Sequence, residues 1–396
     1  MAVGSARPGT AKAYVQGTHR VRRPEETWEI IRPRLSDFGI TRISDVTGLD
    51  TLGIPVAMAA RPLSWTLCVS QGKGQTLTLA KVSAAMECIE LWHAEHTPLP
   101  LAHTDTPADA LGLPYRISEL GVVQGPFLSD RAPLDWVNAV GMISGKPVPV
   151  PRDAVFFPDP RTQHWSPASL RANSNGLASG NVWEEAALHA LYEIIERDVL
   201  CRPSLSDVAA APAVDPRSIP DEVCAGLTRS VLAAGGRIAI QHLPNAFGIP
   251  TYRAVIWSWE FAMPCAGYGS HSDPLVAVSR AVTEAAQGRL AAIVGSRDDL
   301  EDYYGYLERP RAKAEYLSHF PAPEVTFAAQ TPAPAAKFED VSRELSWLAG
   351  VVCDVVGQEP LLVDLTTCPD LAVVKVVVPG AAFLGNRVHA KLERPV

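Results

Sequence analysis

Glutamates at helical spacing carry the chemistry of this chain. Residues Asn181 to Asp198 read as one helix, on which Glu185, His189, Glu193 and Glu196 fall within roughly 80° of arc at about 100° per residue. Almost every other residue there is Ala, Leu, Ile, Val or aromatic, so the pattern is a buried helix with a narrow acidic face, not a surface helix with one apolar stripe. Carboxylates cannot share a dry face without cations, because desolvating an unpaired one is expensive. The stripe is therefore a metal-site pattern. A second acidic helix, Thr78 to His96, holds Ser83, Glu87 and Glu90 beside a core-facing stripe of Leu79, Val82, Met86 and Ile89. Glu90 lies close to that stripe and is expected to be at least half buried. One i,i+3 glutamate pair is ordinarily a solvated face; two such pairs on two apolar helices, after matched glycine turns, are harder to dismiss. A third helix offers Arg280 and Glu284 at i,i+4, alone no more than a surface ion pair worth under ~1 kcal/mol.

Together Glu87, Glu90, Glu185, Glu193, Glu196 and Glu284 would form an all-oxygen site, which suits Mg²⁺ bridging to phosphate better than zinc. Lys73, Arg197, Arg280 and Arg20 are the cations that could hold phosphate oxygens, with Arg20, on a polar arm, expected to be the less fixed. Gly72-Lys73-Gly74 is not a P-loop, so a nucleotide would bind on another kind of fold. His189 on the acidic face reads as a hydrogen-bond partner behind the carboxylates. Asn181 is placed to cap the acidic helix, with Glu184 completing a capping box, and could also touch a nucleotide. Asp198 reads as a helix-end partner. No G-x-S-x-G occurs, and the seven cysteines are scattered and never in C-x-x-C spacing, as in reduced thiols.

The elements that position these groups repeat. Gly53-Ile54-Pro55-Val56-Ala57 is echoed by Gly248-Ile249-Pro250-Thr251-Tyr252, each leading through strand-like residues to a glycine-bearing turn (Gly72 to Gly74, Gly267 to Gly269) and a long helix. Gly176 to Gly180 is a related turn before the central acidic helix. Strand, glycine turn and carboxylate helix thus read as one repeated unit, in an α/β fold that gathers helices around one central nucleotide cavity. Met1 to about Glu25 is expected to be an irregular arm leading into a helix near Glu26 to Leu35. The rest, 26–396, is expected to form one catalytic domain with sub-units of roughly 26–165, 166–245 and 246–396. The Ala/Pro segments Val208 to Pro220 and Pro321 to Lys337 read as surface connections, and Leu361 to Pro379 as two closing strands. With 43 acidic against 35 basic residues, a net charge of −8, and no long apolar run, neither nucleic acid nor a membrane is an expected partner. No signal-peptide core follows Met1, and a cytoplasmic location is expected.

Ser83-x-x-x-Glu87-x-x-Glu90, then Asn173-Ser174-Asn175-Gly176-Leu177-Ala178-Ser179-Gly180-Asn181 running into Glu185 and Glu193-x-x-Glu196-Arg197-Asp198, then Arg280-x-x-x-Glu284, closely resemble the YcaO family over roughly residues 15 to 300. The resemblance implies ATP and Mg²⁺ among the glutamates and phosphorylation of a peptide backbone amide oxygen, followed by attack of a nucleophile on the amide carbon. The product is an azoline with a Cys, Ser or Thr side chain, a thioamide with a sulfide donor, and an amidine with an amine. Residue by residue, it implies Glu87, Glu193 and Glu284 on one Mg²⁺, and Glu90, Glu185 and Glu196 on another or on the nucleotide. Ser83, Asn181, Arg197 and Arg280 match nucleotide or phosphate contacts. Gly17-Thr18-His19-Arg20 and Ile40-Thr41-Arg42-Ile43-Ser44-Asp45 look like the branch found with a TfuA-like partner, which is associated with thioamide formation. Peptide cyclodehydratases of the family commonly end in Pro-x-Pro-x-Pro, whereas this chain ends Leu392-Glu393-Arg394-Pro395-Val396. The expected activity is therefore thioamidation of a ribosomal peptide, with a precursor peptide and a TfuA-like or separate leader-binding protein as partners and a homodimer as the assembly. Azoline formation, a non-catalytic scaffold subunit and a metal-dependent hydrolase are the rival readings.

Overall fold

The computed structural model describes residues 9–121, 129–159, 161, 170, 172–202, 211–295, 310–331 and 337–383. Three sheets hold the strands. β1 (Arg42–Asp45), β2 (Val56–Ala60) and β3 (Val69–Lys73) form an antiparallel trio. A six-stranded sheet runs β4 (Leu101–Pro107), β5 (Pro133–Gly141), β13 (Leu361–Asp364), β14 (Ala372–Val377), β7 (Leu177–Gly180), with β6 (Pro147–Pro151) also on β5. A five-stranded sheet runs β11 (Cys265–Ser270), β10 (Thr251–Trp257), β9 (Arg237–His242), β8 (Ala213–Val214), β12 (Pro323–Val325). The helices are α1 (Pro24–Ile31), α2 (Leu77–His96), α3 (Trp183–Cys201), α4 (Glu222–Ala233), α5 (Pro274–Ile293), α6 (Pro310–Ser318), α7 (Phe327–Gln330) and α8 (Val341–Val356). The α/β class is as expected.

Each acidic helix follows a strand and lies back on it: α2 on β3, α3 on β7, α5 on β11. The glycines read as turns lie largely within those strands, and their role differs from the one expected. A Cβ on Gly72 would sit 2.0 Å from the Ala84 nitrogen and 2.1 Å from the Ala80 carbonyl, and one on Gly267 2.2 Å from the Ala285 nitrogen. A Cβ on Gly180 would meet the Ala186 nitrogen at 2.6 Å. The missing side chains let a helix backbone rest directly on a strand, which is what glycine inside a strand commonly marks. The alanines opposite, among them Ala80, Ala84, Ala281 and Ala285, are fully buried for the same reason. Close approach leaves little freedom in where the glutamate face points.

The core falls into clusters that follow the sheets. Ile89, Trp136, Val150 and Val373 pack between α2 and the six-stranded sheet. Leu191, Ile195, Leu345, Leu348 and Val374 pack α3 against α8 and the other side of that sheet. Ile240, Tyr252, Ala281 and Val282 pack α5 on the five-stranded sheet. The closing strands expected between Leu361 and Pro379 are β13 and β14, antiparallel to each other, with β14 also beside β7.

Three expectations are corrected. The helix expected at Glu26 to Leu35 is α-helical only to Ile31 and continues as a 3-10 stretch, Arg32–Phe38, because Pro33 has no N–H to donate. The two Ala/Pro segments are not merely surface connections. Their described parts pair with each other as the parallel strands β8 and β12, with Ala213 and Val214 buried; the prolines are tolerated because β12 is the sheet's edge. The arm is not loosely placed from Gly9 onward. Lys12 N donates to Glu339 O and Val341 N to Thr10 O, both at 2.9 Å, so the arm is laid along the start of α8.

Candidate active site

α2, α3 and α5 bring their carboxylates within electrostatic reach of one another. Burial pushes the Glu87 carboxyl up to about 7, with Glu193 and Glu284 adding to the rise against Lys73. Glu90 is pushed up to about 8, by burial first and by Glu87 and Glu193, although Ser179 donates to its Oε1 from N–H (2.8 Å) and Oγ (2.6 Å). Burial and the neighbouring Glu284 push Glu196 up to about 7, and burial raises Glu193 too. Burial would raise Glu284 as well, but Lys73, with its Nζ 2.5 Å from Glu284 Oε2, and Arg197 hold it below the usual carboxylate range. Five acidic groups from three helices, most of them half-buried, thus compete for charge within reach of one another.

The cations surround them. Burial alone would weaken the Arg197 charge, yet Glu196, Glu193 and Glu284 together hold its pKa above the ordinary value. Arg280 lies within electrostatic reach of Glu193, Glu196 and Glu284, and its buried Nε has no hydrogen-bond partner. Arg20 is half-buried and held by contacts on several sides, opposite to the looser position expected for it. Its Nε is 3.8 Å from Glu185 Oε1, its Nη2 is 3.4 Å from His189 Nδ1, and Arg280 is a repelling neighbour. Burial, then Arg280, Arg20 and Lys73, drive the His189 pKa far down, so this imidazole is neutral and accepts from Arg20 at Nδ1.

Glu185 and Asn181 form a separate knot. Glu185 Oε1 accepts from Asn181 N (3.2 Å) and Nδ2 (3.0 Å), while its Oε2 accepts from Val21 N (2.8 Å). Asn181 Oδ1 accepts from Thr27 Oγ1. The capping box expected of Asn181 and Glu184 does not form: the residue before α3 is Val182, with no side-chain cap, and Glu185 reaches back instead. Glu185 therefore spends both oxygens holding the arm and the start of α3. Asp198 is the expected helix-end partner, accepting from Arg202 and, at 2.7 Å, from Ala382 N. Ser83 sits half-buried on α2, one turn before Glu87.

Sequence reasoning missed Lys375 and Ser179. Lys375 is 2% exposed in the middle of β14, donates to the carbonyls of Asn173 (2.5 Å) and Asn175 (2.7 Å), and has its pKa lowered by burial to about 8 with Glu193 opposing. Its signal was a lone charge inside the apolar run Leu371 to Val378. Ser179 lay inside the Asn173 to Asn181 motif but was given no role there, because a serine that binds a glutamate from another helix looks like any strand serine.

Among the described residues, no three His, Cys, Asp or Glu side chains are already gathered around one ion position. The fit to Mg²⁺ and a nucleotide rests on the donor set: oxygen ligands whose raised pKa values mark missing positive charge, facing Lys73, Arg197 and the unpartnered Arg280 Nε. Divalent ions would supply that charge and bridge the carboxylates to phosphate oxygens. No described helix is long and apolar enough to cross a membrane.

Comparison with known proteins gives the family and the fold. The sequence model described as YcaO cyclodehydratase, ATP- and Mg²⁺-binding, matches residues 71–382. An uncharacterized protein of Mycobacterium tuberculosis is 35% identical over 385 residues, covering 96% of this chain and 85% of that one. An uncharacterized protein from the tfuA 3' region of Rhizobium leguminosarum bv. trifolii is 38% identical over 306 residues, covering 74% and 72%. Among solved structures, YcaO from Methanopyrus kandleri, bound with AMPPCP and Mg²⁺, superposes with a TM-score of 0.73 at 26% identity, covering 94% of this chain and 95% of that one. The match over residues 71–382, on a fold shared with a nucleotide-bound relative, places this chain in the YcaO family of ATP- and Mg²⁺-binding proteins.

Proposed function

We propose that the chain uses ATP to activate a peptide backbone amide and that sulfur replaces the amide oxygen, giving a thioamide. The observation that carries the ATP-dependent part is the opposition of Glu87, Glu90, Glu193, Glu196 and Glu284 to Lys73, Arg197 and Arg280 within one charge-coupled cluster. Mg²⁺, when bound, screens the phosphates from the carboxylates and draws electron density from the transferring phosphoryl group. Arg280 and Arg197 stabilise charge on that group, and Lys73, once released from Glu284, holds a phosphate oxygen. The amide oxygen takes the γ-phosphoryl group and ADP leaves. Hydrosulfide then adds to the amide carbon, phosphate departs with the carbon–oxygen electron pair, and loss of the sulfur proton leaves the thioamide. Exclusion of water matters here, because water adding in place of sulfide would only regenerate the amide.

Support for sulfur as the incoming atom is the relative in a tfuA 3' region. The second reading, ring closure by a Cys, Ser or Thr side chain, is favoured by the family description as cyclodehydratase. A precursor peptide encoded near the gene, ATP, Mg²⁺ and sulfide, followed by mass spectrometry, separates the two. A sulfur-for-oxygen gain is expected; loss of one water means azoline formation. Heavy oxygen placed in the substrate amide should appear in the released phosphate on either route, and its absence there would sink amide activation altogether.

A further inference from the structure

Behind Arg20 lies a buried polar network that the chemistry above does not use. Glu344, on the first turn of α8, is fully buried and gathers three segments. Its Oε1 accepts from Tyr192 Oη at 2.5 Å and from Ser272 Oγ, while its Oε2 lies 2.7 Å from Lys12 Nζ. Tyr192 immediately precedes Glu193 on α3, Ser272 stands just before α5, and Lys12 belongs to the arm. Ser272 N also donates to Tyr192 Oη, at 3.1 Å, which closes the network between α3 and α5. Lys12 Nζ reaches His19 Nδ1 at 2.9 Å, and the His19 carbonyl accepts from Arg20 Nη1 at 3.2 Å. The His19 ring stands edge-on to His271, with centroids 4.8 Å apart, and His271 stacks on Tyr192 at 4.6 Å. Every link from Glu344 to Arg20 is therefore on buried or half-buried groups.

From this geometry we infer that Glu344 is a positioning residue that locks the arm, through Lys12 and His19, so that Arg20 is held in the nucleotide site. A carboxylate buried this deeply needs a countercharge, and the one it takes comes from the arm, so the arm cannot leave without stranding the Glu344 charge. The lock has a second fastener at the far side of Arg20, where Val21 N is held by Glu185. Arg20 thus sits between two acidic anchors, one before it in the arm and one after it. The inference rests on the proposed nucleotide site for its consequence, but the lock itself stands apart from that reading.

The test uses the full chain with Glu344→Gln, and Lys12→Met as the milder variant that breaks the same pair from the arm side. Two readouts are needed: amide hydrogen exchange at Lys12 and Val21, and the affinity for a non-hydrolysable ATP analogue with Mg²⁺. Either variant should speed arm exchange and weaken nucleotide binding about tenfold, the effect of losing roughly one strong coupled contact. Adding Arg20→Ala to either should cost little more, because Arg20 is already displaced. Unchanged arm exchange would overturn the lock. Released arm with wild-type nucleotide affinity, or losses that multiply fully in the double variant, would overturn the positioning role. Failure of the wild-type protein to bind the analogue would instead refute the nucleotide site, and arm exchange would still decide whether Glu344 holds the arm.

Discussion

Raising the pH of the metal-free protein should destabilise it, in a window where most buried carboxylates of other proteins have finished titrating. Glu90 has a pKa of about 8 in the folded chain against an ordinary value of 4.5. Between these values the folded state holds a proton that the unfolded state has lost, so stability falls as pH rises. The contribution is fully present below 4.5 and gone above about 8. The lower limit is set at pH 6.5, where histidines still oppose the fall: His19 and His93, at about 4, and His189, His242 and His271, all lowered by burial, refuse protons that the unfolded chain half holds there, so the Glu90 share is read against Glu90→Gln. The upper limit is about 8, where Lys375 starts to lose its proton in the fold. Over those roughly 1.5 pH units Glu90 alone is worth about 2 kcal/mol at ~1.4 kcal/mol per unit. Glu87 and Glu196, at about 7, add a smaller share in the lower part of the window. At the usual unfolding entropy per residue, the roughly 2 kcal/mol carried by Glu90 in a chain of this length corresponds to about 2–3 °C in Tm. Thermal denaturation with a chelator at pH 6.5 and 8 measures it. Saturating Mg²⁺ should reverse the slope, since the ion binds the ionised carboxylates and so binds more tightly at higher pH. Glu90→Gln lacks that share, so its Tm relative to wild type should rise by about 2–3 °C between pH 6.5 and 8. A gap in Tm between wild type and Glu90→Gln that stays constant across this window would refute the picture of uncompensated carboxylates.

Two further outcomes follow from the same geometry. Arg280→Ala should slow the chemical step about a hundredfold or more in single-turnover assays at saturating ATP, the usual effect of removing a charge-stabilising donor, whereas Arg20→Ala should act mainly on nucleotide affinity; equal effects on the chemical step would erase that division. Gly72→Ala should cost about 1–3 kcal/mol or more, because the new Cβ meets helix backbone that has no rotamer to yield; chemical denaturation showing wild-type stability would mean α2 does not lie on β3 as described.

The glutamate stripes on α2 and α3 were legible in the sequence because helical periodicity sorts side chains by face without any tertiary information. Burial was legible too: Ala, Leu and Ile on the remaining faces left the carboxylates nowhere to go but inward, and Glu90 is indeed half-buried. The closing hairpin of β13 and β14 came from alternation in the same way. What each polar group touches was not legible, because it depends on partners distant in the chain. Glu185 carried the same helical signature as Glu193, yet it is tied to Asn181 and Val21. Lys73 looked like a free phosphate-binding cation and is paired with Glu284, 211 residues away. The glycines announced turns by composition, but their reason is the helix backbone pressed against them, which only the packed fold supplies. The arm is the sharpest case. Its polar, basic composition gave no element to predict, and its order comes from Glu344, Glu185 and the start of α8, three anchors that no local pattern in residues 9–23 encodes. Local periodicity determines which residues share a face; which faces meet, and which charges are thereby spent on structure, is decided by close packing of segments far apart in the chain.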